Sequence, residues 1–314
     1  MDLQAATVVR STGSWHDVQT DERVVPSRVP GKSRLEDQLT TNPVAVGDLV
    51  DIRLLDDGTG QITAIRPRRN QLSRRAAGRR SGLEHVIAAN VDHVWVVQSV
   101  ELPRPNPGFI DRLLVMSAAG GIPAGIIMNK IDRAEDGDSH AVVAEIASIY
   151  QELDYPVVLT SATSGAGLDS LRRRLEGKRS VLSGPSGVGK STLLNRLEPE
   201  LDLRTTAVSE KTRKGKHTTA VAEMHEIGPD TYVIDTPGVR EIGLWDLTPA
   251  ELGSLMPEIR DLADACHFPN CTHDHEPGCA VRDAVEAGGI SEVRYLSYLN
   301  MLESLRAGRF DVGR

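Results

Sequence analysis

Gly184-Pro185-Ser186-Gly187-Val188-Gly189-Lys190-Ser191, a complete G-x-x-x-x-G-K-[ST] pattern, lies between the apolar run SVLS (180–183) and the helix-forming run STLLNRL (191–197). A short buried strand thus enters a glycine-rich turn and leaves as a helix, the context in which this pattern cradles phosphate. The glycines let successive backbone N–H groups close around phosphate oxygens, and the helix start adds the positive end of its dipole. Lys190 is placed to reach β- and γ-phosphates, and Ser191 to hold Mg²⁺. A glycine-rich turn without a ligand is the plainer alternative, and the strand–loop–helix setting weakens it.

Three further patterns gain meaning from this one. TYVID (231–235) ends on Asp235 and continues as Thr236-Pro237-Gly238. D-x-x-G alone also spells a turn, but downstream of a phosphate loop it sets a carboxylate toward Mg²⁺ and the Gly238 amide toward a γ-phosphate. Thr218 and Thr219, in GKHTTA (215–220), stand between the two. A threonine there caps Mg²⁺ and the γ-phosphate and releases on hydrolysis, while a β-prone pair entering a strand reads equally well from these residues alone. Asn129-Lys130-Ile131-Asp132 closes another strand-like run. Its carboxylate suits the N1–H and N2–H₂ edge of guanine, which adenine lacks, with Asn129 on the N7/O6 side and the Lys130 stem over the base. Ser161-Ala162, in LTSATSGAG, suits a backbone amide contact to O6. Paired hydrogen bonds of this kind discriminate strongly between bases.

The order of these elements is unusual: base recognition, Ser-Ala, phosphate loop, threonine pair, D-x-x-G. A conventional nucleotide domain of this type begins at the phosphate loop and ends with base recognition. Here the usual ends are joined through Gly177-Lys178, which is physically easy because domain termini often lie close together. Around the motifs, strands at 91–100, 122–130, 156–162, 179–183, near 220–227 and 231–235 alternate with helices at 107–121, 139–153, 167–176 and from Gly189. That alternation predicts a doubly wound α/β domain.

On either side the character of the chain changes. Residues 1–66 carry five short β-type runs, ATVV, SWHDVQT, RVVPSRV, VGDLVDIRLL and GQITAIRP, parted by turn signals. They predict a small closed barrel of the OB-fold kind, and an SH3-like barrel would read much the same. Arg66, Arg68, Arg69, Arg74, Arg75, Arg79 and Arg80 fall within fifteen residues free of acids; the stretch 66–82 reads as a mobile linker that either attracts phosphates or is simply solvated. From residue 250 the chain reads as helical around Cys266-His267-Phe268-Pro269-Asn270-Cys271-Thr272-His273-Asp274-His275-Glu276-Pro277-Gly278-Cys279. Cys266, Cys271, His273 and Cys279 make a Cys₃His set suited to one structural Zn²⁺, with His267 and His275 as alternates and three free thiols as the plainer reading. The expected division is 1–82 (OB-like, RNA-binding, with basic linker), 83–250 (nucleotide domain) and 251–314 (zinc-binding helical domain).

Composition bounds the rest. The 314 residues are 39% hydrophobic, 25% charged and only 4% aromatic, an ordinary globular balance whose cores rest on aliphatic side chains. The net charge of −8 divides into +3 over residues 1–82 and −11 over the remainder, so basic character belongs to the N-terminal part. No run approaches the ~18 apolar residues of a membrane span, and the start MDLQAATVVRSTGS lacks a secretory leader. Three cysteines crowded into 266–279 argue for a reducing compartment. The chain reads as cytoplasmic and, lacking a sustained heptad or spare apolar stripe, as a monomer.

Taken together, the permuted order NKID…SA…GPSGVGKS…HTT…DTPG, the N-terminal barrel, the C-x₄-C-x-H-x₅-C loop and the segments TGSW, PRRNQLSR and DTPGVREIGLW resemble the family of ribosome small-subunit-dependent GTPases, the RsgA/YjeQ family. The resemblance covers nearly the whole chain. It implies a multidomain α/β protein with an OB-fold-like barrel, a circularly permuted P-loop GTPase domain and a helical zinc domain. It further implies a late-acting assembly factor of the small (30S) ribosomal subunit whose barrel and zinc domain contact rRNA and whose GTP hydrolysis is stimulated by the subunit. Carried onto this chain, Asn129, Lys130, Asp132, Ser161 and Ala162 bind guanine, and Gly184, Pro185, Ser186, Gly187, Val188, Gly189, Lys190, Ser191 and Thr192 bind phosphates. Asp235 and Gly238 complete the GTP site, and Ser191, Thr219 and Asp235 serve Mg²⁺. Ala220 stands where the family often has a third threonine, so Thr218 competes with the favoured Thr219.

Many GTPases follow D-x-x-G with a glutamine that orients water; this chain has Val239, which predicts slow intrinsic hydrolysis until a partner completes the site. His217 then becomes the candidate catalytic residue alongside Lys190 and Thr219, against the plain reading of an exposed switch histidine. Two other functions stay in view: an RNA-binding adaptor that holds guanine nucleotide with little turnover, and a P-loop ATPase or small-molecule kinase, which Asn129-Lys130-Ile131-Asp132 opposes.

Overall fold

A computed structural model describes residues 3–30, 40–76, 83–134, 137–203, 222–236 and 243–307. The N-terminal part is the barrel its alternation calls for. Strands β1 (Gln4–Thr12), β2 (Trp15–Gln19), β3 (Val24–Arg28), β4 (Leu49–Leu54) and β5 (Gly60–Ile65) run β1-β2-β3-β5-β4 and close where β4 returns to β1. The parallel β3–β5 step and the closure give the OB-fold arrangement. Val8, Val18, Val25, Val50, Ile52 and Ile62 fill the inside, each flanked along its strand by more exposed neighbours, as a period of two requires. Among the described residues the apolar core of the barrel contains no Phe, Tyr or Trp.

The arginine-rich stretch is not the linker that its composition predicts. Gln71–Arg75 forms β6 and pairs antiparallel with β7, Glu84–Ala89. Leu72, Ile87 and Ala88 turn inward to the same core as helix α1 (Pro107–Ala119). Three of the arginines are matched to carboxylates: Arg66 to Asp51 at 2.7 Å, Arg68 to Asp48 at 2.7 Å and Arg69 to Asp92 at 2.6 Å. Asp48 is fully buried, so Arg68 neutralises a charge that would otherwise be costly. Those acids lie 15 to 23 positions away in sequence, beyond any local charge count. Arg79 and Arg80 lie outside the described residues.

The central domain adds β8 (His93–Ser99), β9 (Ala124–Asn129), α2 (Gly137–Gln151), β10 (Val157–Leu159), α3 (Leu168–Leu175), β11 (Arg179–Ser183), α4 (Lys190–Leu197), β12 (Glu223–Gly228) and β13 (Thr231–Asp235). Its sheet runs β10-β9-β8-β11-β13-β12, parallel except for β12. Adjacent residues of each strand serve opposite faces. Val94, Val96, Ile126, Met128, Val181 and Ile234 join Ile110 and Leu113 of α1 and Ile146 of α2. Trp95, Val97, Ile127, Leu182 and Val233 join Leu171 of α3 and Leu193 and Leu197 of α4. Each such side chain contributes roughly 1.5–3 kcal/mol by leaving water, so both faces are strongly specified and the domain is doubly wound. The chain reverses its direction of winding between β8 and β11, the point at which such sheets bind ligands beyond the strands' carboxyl ends. A single residue pair, Arg10 opposite Glu223, joins β1 to β12 and makes barrel and domain one continuous sheet.

The C-terminal part is helical: α5 (Pro249–Leu252), α6 (Pro257–Ala263), α7 (Ala280–Glu286) and α8 (Glu292–Ala307). Helix α8 lies against α1 and α5, and its buried Arg294 reaches Asp111 of α1 at 2.5 Å and Glu258 of α6 at 2.6 Å. Among the described residues no helix is long and apolar enough to cross a membrane.

Candidate functional site

Three loops leave the carboxyl ends of β9, β10 and β11 and interlock. In the phosphate loop, a Cβ at Gly184 would run into the Val97 carbonyl oxygen, so only glycine lets the loop pass this close to β8. Gly189 sits at φ +96° as the residue before α4, where a Cβ would strike Asn129 Nδ2. Both positions need glycine for a stated steric reason, as a loop wrapped around a phosphate does. Lys190 is buried, and its Nζ donates to the Gly184 carbonyl at 2.7 Å and the Pro185 carbonyl at 3.4 Å. Burial lowers its pKa, and the charge of Asp235 opposes that shift.

The base-recognition motif is tied to that loop across 59 positions of sequence. Asn129 donates from Nδ2 to the Val188 carbonyl at 2.8 Å and accepts from Thr160 Oγ1 at 3.2 Å. Lys130 takes a left-handed backbone, φ +65°, and its Nζ donates to the Gly187 carbonyl at 2.5 Å and the Leu102 carbonyl at 2.7 Å. Ser161 Oγ donates to Asp132 Oδ1 at 2.5 Å, one bond to a carboxylate whose two oxygens offer about four acceptor sites. Asn129, Lys130, Asp132, Ser161 and the loop 184–191 therefore meet in one place at the switch point of the sheet. Thr160, which orients Asn129, is not evident from the motifs; its role depends on β10 lying beside β9.

Asp235 ends β13, the strand paired with β11, whose own end feeds the phosphate loop. Its Oδ1 is buried without a hydrogen-bond partner among the described residues, and burial raises its pKa against the opposing charge of Lys190. A desolvated carboxylate oxygen with a free lone pair beside a phosphate loop is what a Mg²⁺ site requires of the protein. Ser191 lies in the first turn of α4, directly after Lys190. His217, Thr218, Thr219, Gly238 and Val239 lie outside the described residues.

The second cluster is in the C-terminal part. Cys266 Sγ, Cys271 Sγ, His273 Nδ1 and Cys279 Sγ all lie within 4.8 Å of one another. Cys266 Sγ is 4.0 Å from Cys279 Sγ and 3.5 Å from His273 Nδ1, and Cys279 Sγ is 3.6 Å from that nitrogen. A tetrahedral ion at ~2.3 Å from sulfur and ~2.0 Å from nitrogen gives edges of about 3.8 and 3.5 Å, close to the spacings among Cys266, His273 and Cys279, with Cys271 within 4.8 Å of all three. His267 packs edge-on against Phe268, and His275 faces Asp274; neither joins the set.

The loop owes its shape to residues that the Cys/His spacing does not reveal. Glu276 accepts from Thr272 N and Oγ1 through Oε1 and from Asp274 N and His275 N through Oε2. Burial works against its charge, yet these hydrogen bonds prevail and hold its carboxyl well below the usual range. From α8, Tyr295 donates to the His273 carbonyl and Tyr298 to the Thr272 carbonyl, each at 2.7 Å, while Arg306 grips Asp274 at 2.6 Å.

Comparisons with known proteins agree with this geometry. The family model "RsgA GTPase" matches residues 65–245 and "RsgA N-terminal domain" matches 6–62. The small ribosomal subunit biogenesis GTPase RsgA of Bacteroides fragilis is 42% identical over 304 residues, covering 96% of this chain and 97% of its own. That of Gemmatimonas aurantiaca is 43% identical over 303 residues, covering 95% and 96%. Among solved structures, YjeQ from Thermotoga maritima superposes with a TM-score of 0.74 at 33% identity, over 97% of this chain and 99% of its own. YloQ, described as a circularly permuted GTPase, gives 0.68 at 28% identity, over 98% and 96%.

Proposed function

Because the chain belongs to the RsgA GTPase family, we propose that it is a GTP hydrolase acting late in assembly of the small (30S) ribosomal subunit, binding rRNA and stimulated by that subunit. The observation that carries the reading is the 2.8 Å bond from Asn129 to the Val188 carbonyl. It joins a guanine-reading motif to a phosphate loop that follows it in sequence, so one nucleotide spans both. Asn129 and Asp132 read the base, Lys130 covers it, and Ser161-Ala162 meets O6. Residues Gly184 to Thr192 hold the phosphates, with Gly238 at the γ-phosphate. Mg²⁺, where bound, neutralises charge on the phosphates; Ser191, Thr219 and Asp235 are its protein partners. Zn²⁺ is the ion for Cys266, Cys271, His273 and Cys279, and with four protein ligands it is structural, leaving no open position.

The units act as barrel with basic segment (1–82), GTPase (83–250) and zinc domain (251–314), although the β6–β7 hairpin crosses the first boundary. The protein works in the cytoplasm as a monomer and without a membrane. Val239 makes unassisted hydrolysis slow, and His217 orients the attacking water once the subunit is bound. Val239 also supports a second reading, an RNA-binding adaptor that holds nucleotide and barely turns over. GTP turnover with purified small subunits, against large subunits as control, separates the two. The expected result is strong stimulation by small subunits alone, abolished in His217→Ala with GTP affinity spared. Bound GTP without stimulation would leave the adaptor.

A further inference from the structure

Residues 83–314 carry a net charge of −11, yet within them positions 172–179, Arg-Arg-Arg-Leu-Glu-Gly-Lys-Arg, hold five basic residues against one acid. They cover the last turn of α3 and the start of β11, at the end of the sheet opposite the phosphate loop. Part of this charge serves the fold itself. Arg172 donates from its guanidinium to the Leu197 carbonyl, joining α3 to the end of α4. Lys178 Nζ caps the Arg174 carbonyl at 3.1 Å, and Arg179 lies 5.9 Å over the Tyr232 ring. Arg173 and Arg174 are exposed, and their side chains make no hydrogen bond, ring contact or ion pair among the described residues. Successive helix positions turn by about 100°, so with Arg172 held against α4 the next two fan outward. Exposed Arg196, on the last turn of the neighbouring α4, turns its guanidinium toward Gly165 before the start of α3 and is not part of this surface.

The field of this cluster is felt inside the domain. His93, stacked on Trp95 with ring centroids 4.4 Å apart, has its pKa pushed down to about 4, first by burial and then by the charges of Lys178 and Arg174. One positive side chain near a helix end is accounted for by the helix dipole; three consecutive arginines followed by Lys178 and Arg179 exceed that need.

We infer that the exposed end of α3, centred on Arg173 and Arg174, is a docking surface for the phosphate backbone of RNA, separate from the barrel and the zinc domain. Of the five basic residues in 172–179, four are arginine, whose planar fork matches phosphate oxygens bidentately. The surface lies away from the nucleotide, so it contributes affinity without entering the chemistry. The choice of RNA as occupant rests on the proposed action at the ribosomal subunit.

The test is the salt dependence of binding, by the intact protein, to purified small ribosomal subunits and to deproteinised small-subunit rRNA. Each phosphate contact contributes about 0.7–0.9 to the slope of log K against log salt. The Arg173→Gln/Arg174→Gln double variant is therefore expected to lower that slope by about 1.4–1.8 on both probes, with basal GTP turnover and Tm unchanged. An unchanged slope on both, with wild-type binding intact, overturns the inference and leaves the arginines to the helix dipole. A reduced slope on subunits but not on bare rRNA also overturns it, in favour of an acidic protein face. If the wild-type protein binds neither probe, the ribosomal reading fails first.

Discussion

Replacing Arg294 with methionine is expected to release α8 from the GTPase domain. Arg294 lies 1% exposed between Asp111, itself 0% exposed, and Glu258. Asp111 also accepts from Tyr150 OH of α2 at 2.7 Å, so one carboxylate gathers α1, α2 and α8. Methionine keeps most of the volume and removes the charge, leaving a buried carboxylate without its cation. Removing one partner of a buried pair costs about 3–5 kcal/mol. Solvent cannot rescue the change, because nothing around Asp111 is open. Burial already raises the Asp111 pKa against the opposing pull of Arg294, and without Arg294 it rises further. A raised folded-state carboxyl pKa gives stability that is present at low pH and lost as pH climbs through it. The defect is therefore larger at pH 8 than at pH 5. Hydrogen exchange of α8 amides measures it directly: a local loss of ~3 kcal/mol corresponds to protection falling on the order of a hundredfold. A loss below about fivefold at pH 8, or one that grows as pH falls, would refute the reasoning. Asp111→Asn in the same background should recover part of the loss by removing the stranded charge.

Other consequences follow from the same geometry. Asp132→Ala deletes two charge-assisted bonds to the guanine edge, each worth ~1.5–3 kcal/mol; GTP affinity should fall at least about a hundredfold with ATP affinity unaltered, and equal losses for both in a competition assay would contradict the base-reading role. Stripping the Cys266/Cys271/His273/Cys279 metal with a chelator should release one zinc per chain and expose the amides of 295–306, since Tyr295, Tyr298 and Arg306 hold the loop from α8; chelation that leaves exchange unchanged would deny the metal a structural role. His85 and His93 both have folded-state values pushed down to about 4, burial first and neighbouring positive charge second. A depressed value gives stability that is complete above the ordinary 6.5 and lost as pH falls toward 4. The His85→Gln/His93→Phe variant should lose Tm less steeply across that window, and an equally steep fall would show that other groups govern it.

Local chemistry made most of the nucleotide site legible. Asn129, Asp132, Lys190 and Asp235 belong to short patterns whose spacing is set by one turn at a strand end, and strand–helix alternation supplied the sheet that brings those ends together. What escaped was non-local. The β6–β7 hairpin hid behind its arginines because the carboxylates that neutralise Arg66, Arg68 and Arg69 arrive from elsewhere in the chain. Glu276 looked like one acid in a polar loop, and only the fold shows its two oxygens organising four donors. Arg294 and Asp111 are 183 positions apart, so no window of sequence pairs them.

The permuted order gives these long-range contacts a common meaning. Among the described residues no strand follows β13, which ends on Asp235, and Gly243 accepts a backbone hydrogen bond from Arg75 of β6 at 2.9 Å. On the other side of the same carboxylate, Glu223 stands opposite Asp235 in the ladder and opposite Arg10 of the barrel. Farther along, α8 returns to α1 through Arg294. Both appended parts are thus fastened within one strand or one helix of the nucleotide, by contacts of unequal strength. The Arg10–Glu223 pair, 4.0 Å apart and half exposed, is worth at most about 1 kcal/mol, whereas removing one partner of the buried Arg294 cluster costs about 3–5 kcal/mol. A partner that grips barrel and zinc domain together would break the Arg10–Glu223 contact at little cost, while the barrel stays fastened at the end of β7 through Ala89 N–H to the Val46 carbonyl and Asn90 Nδ2 to the Gly47 carbonyl, each at 2.9 Å.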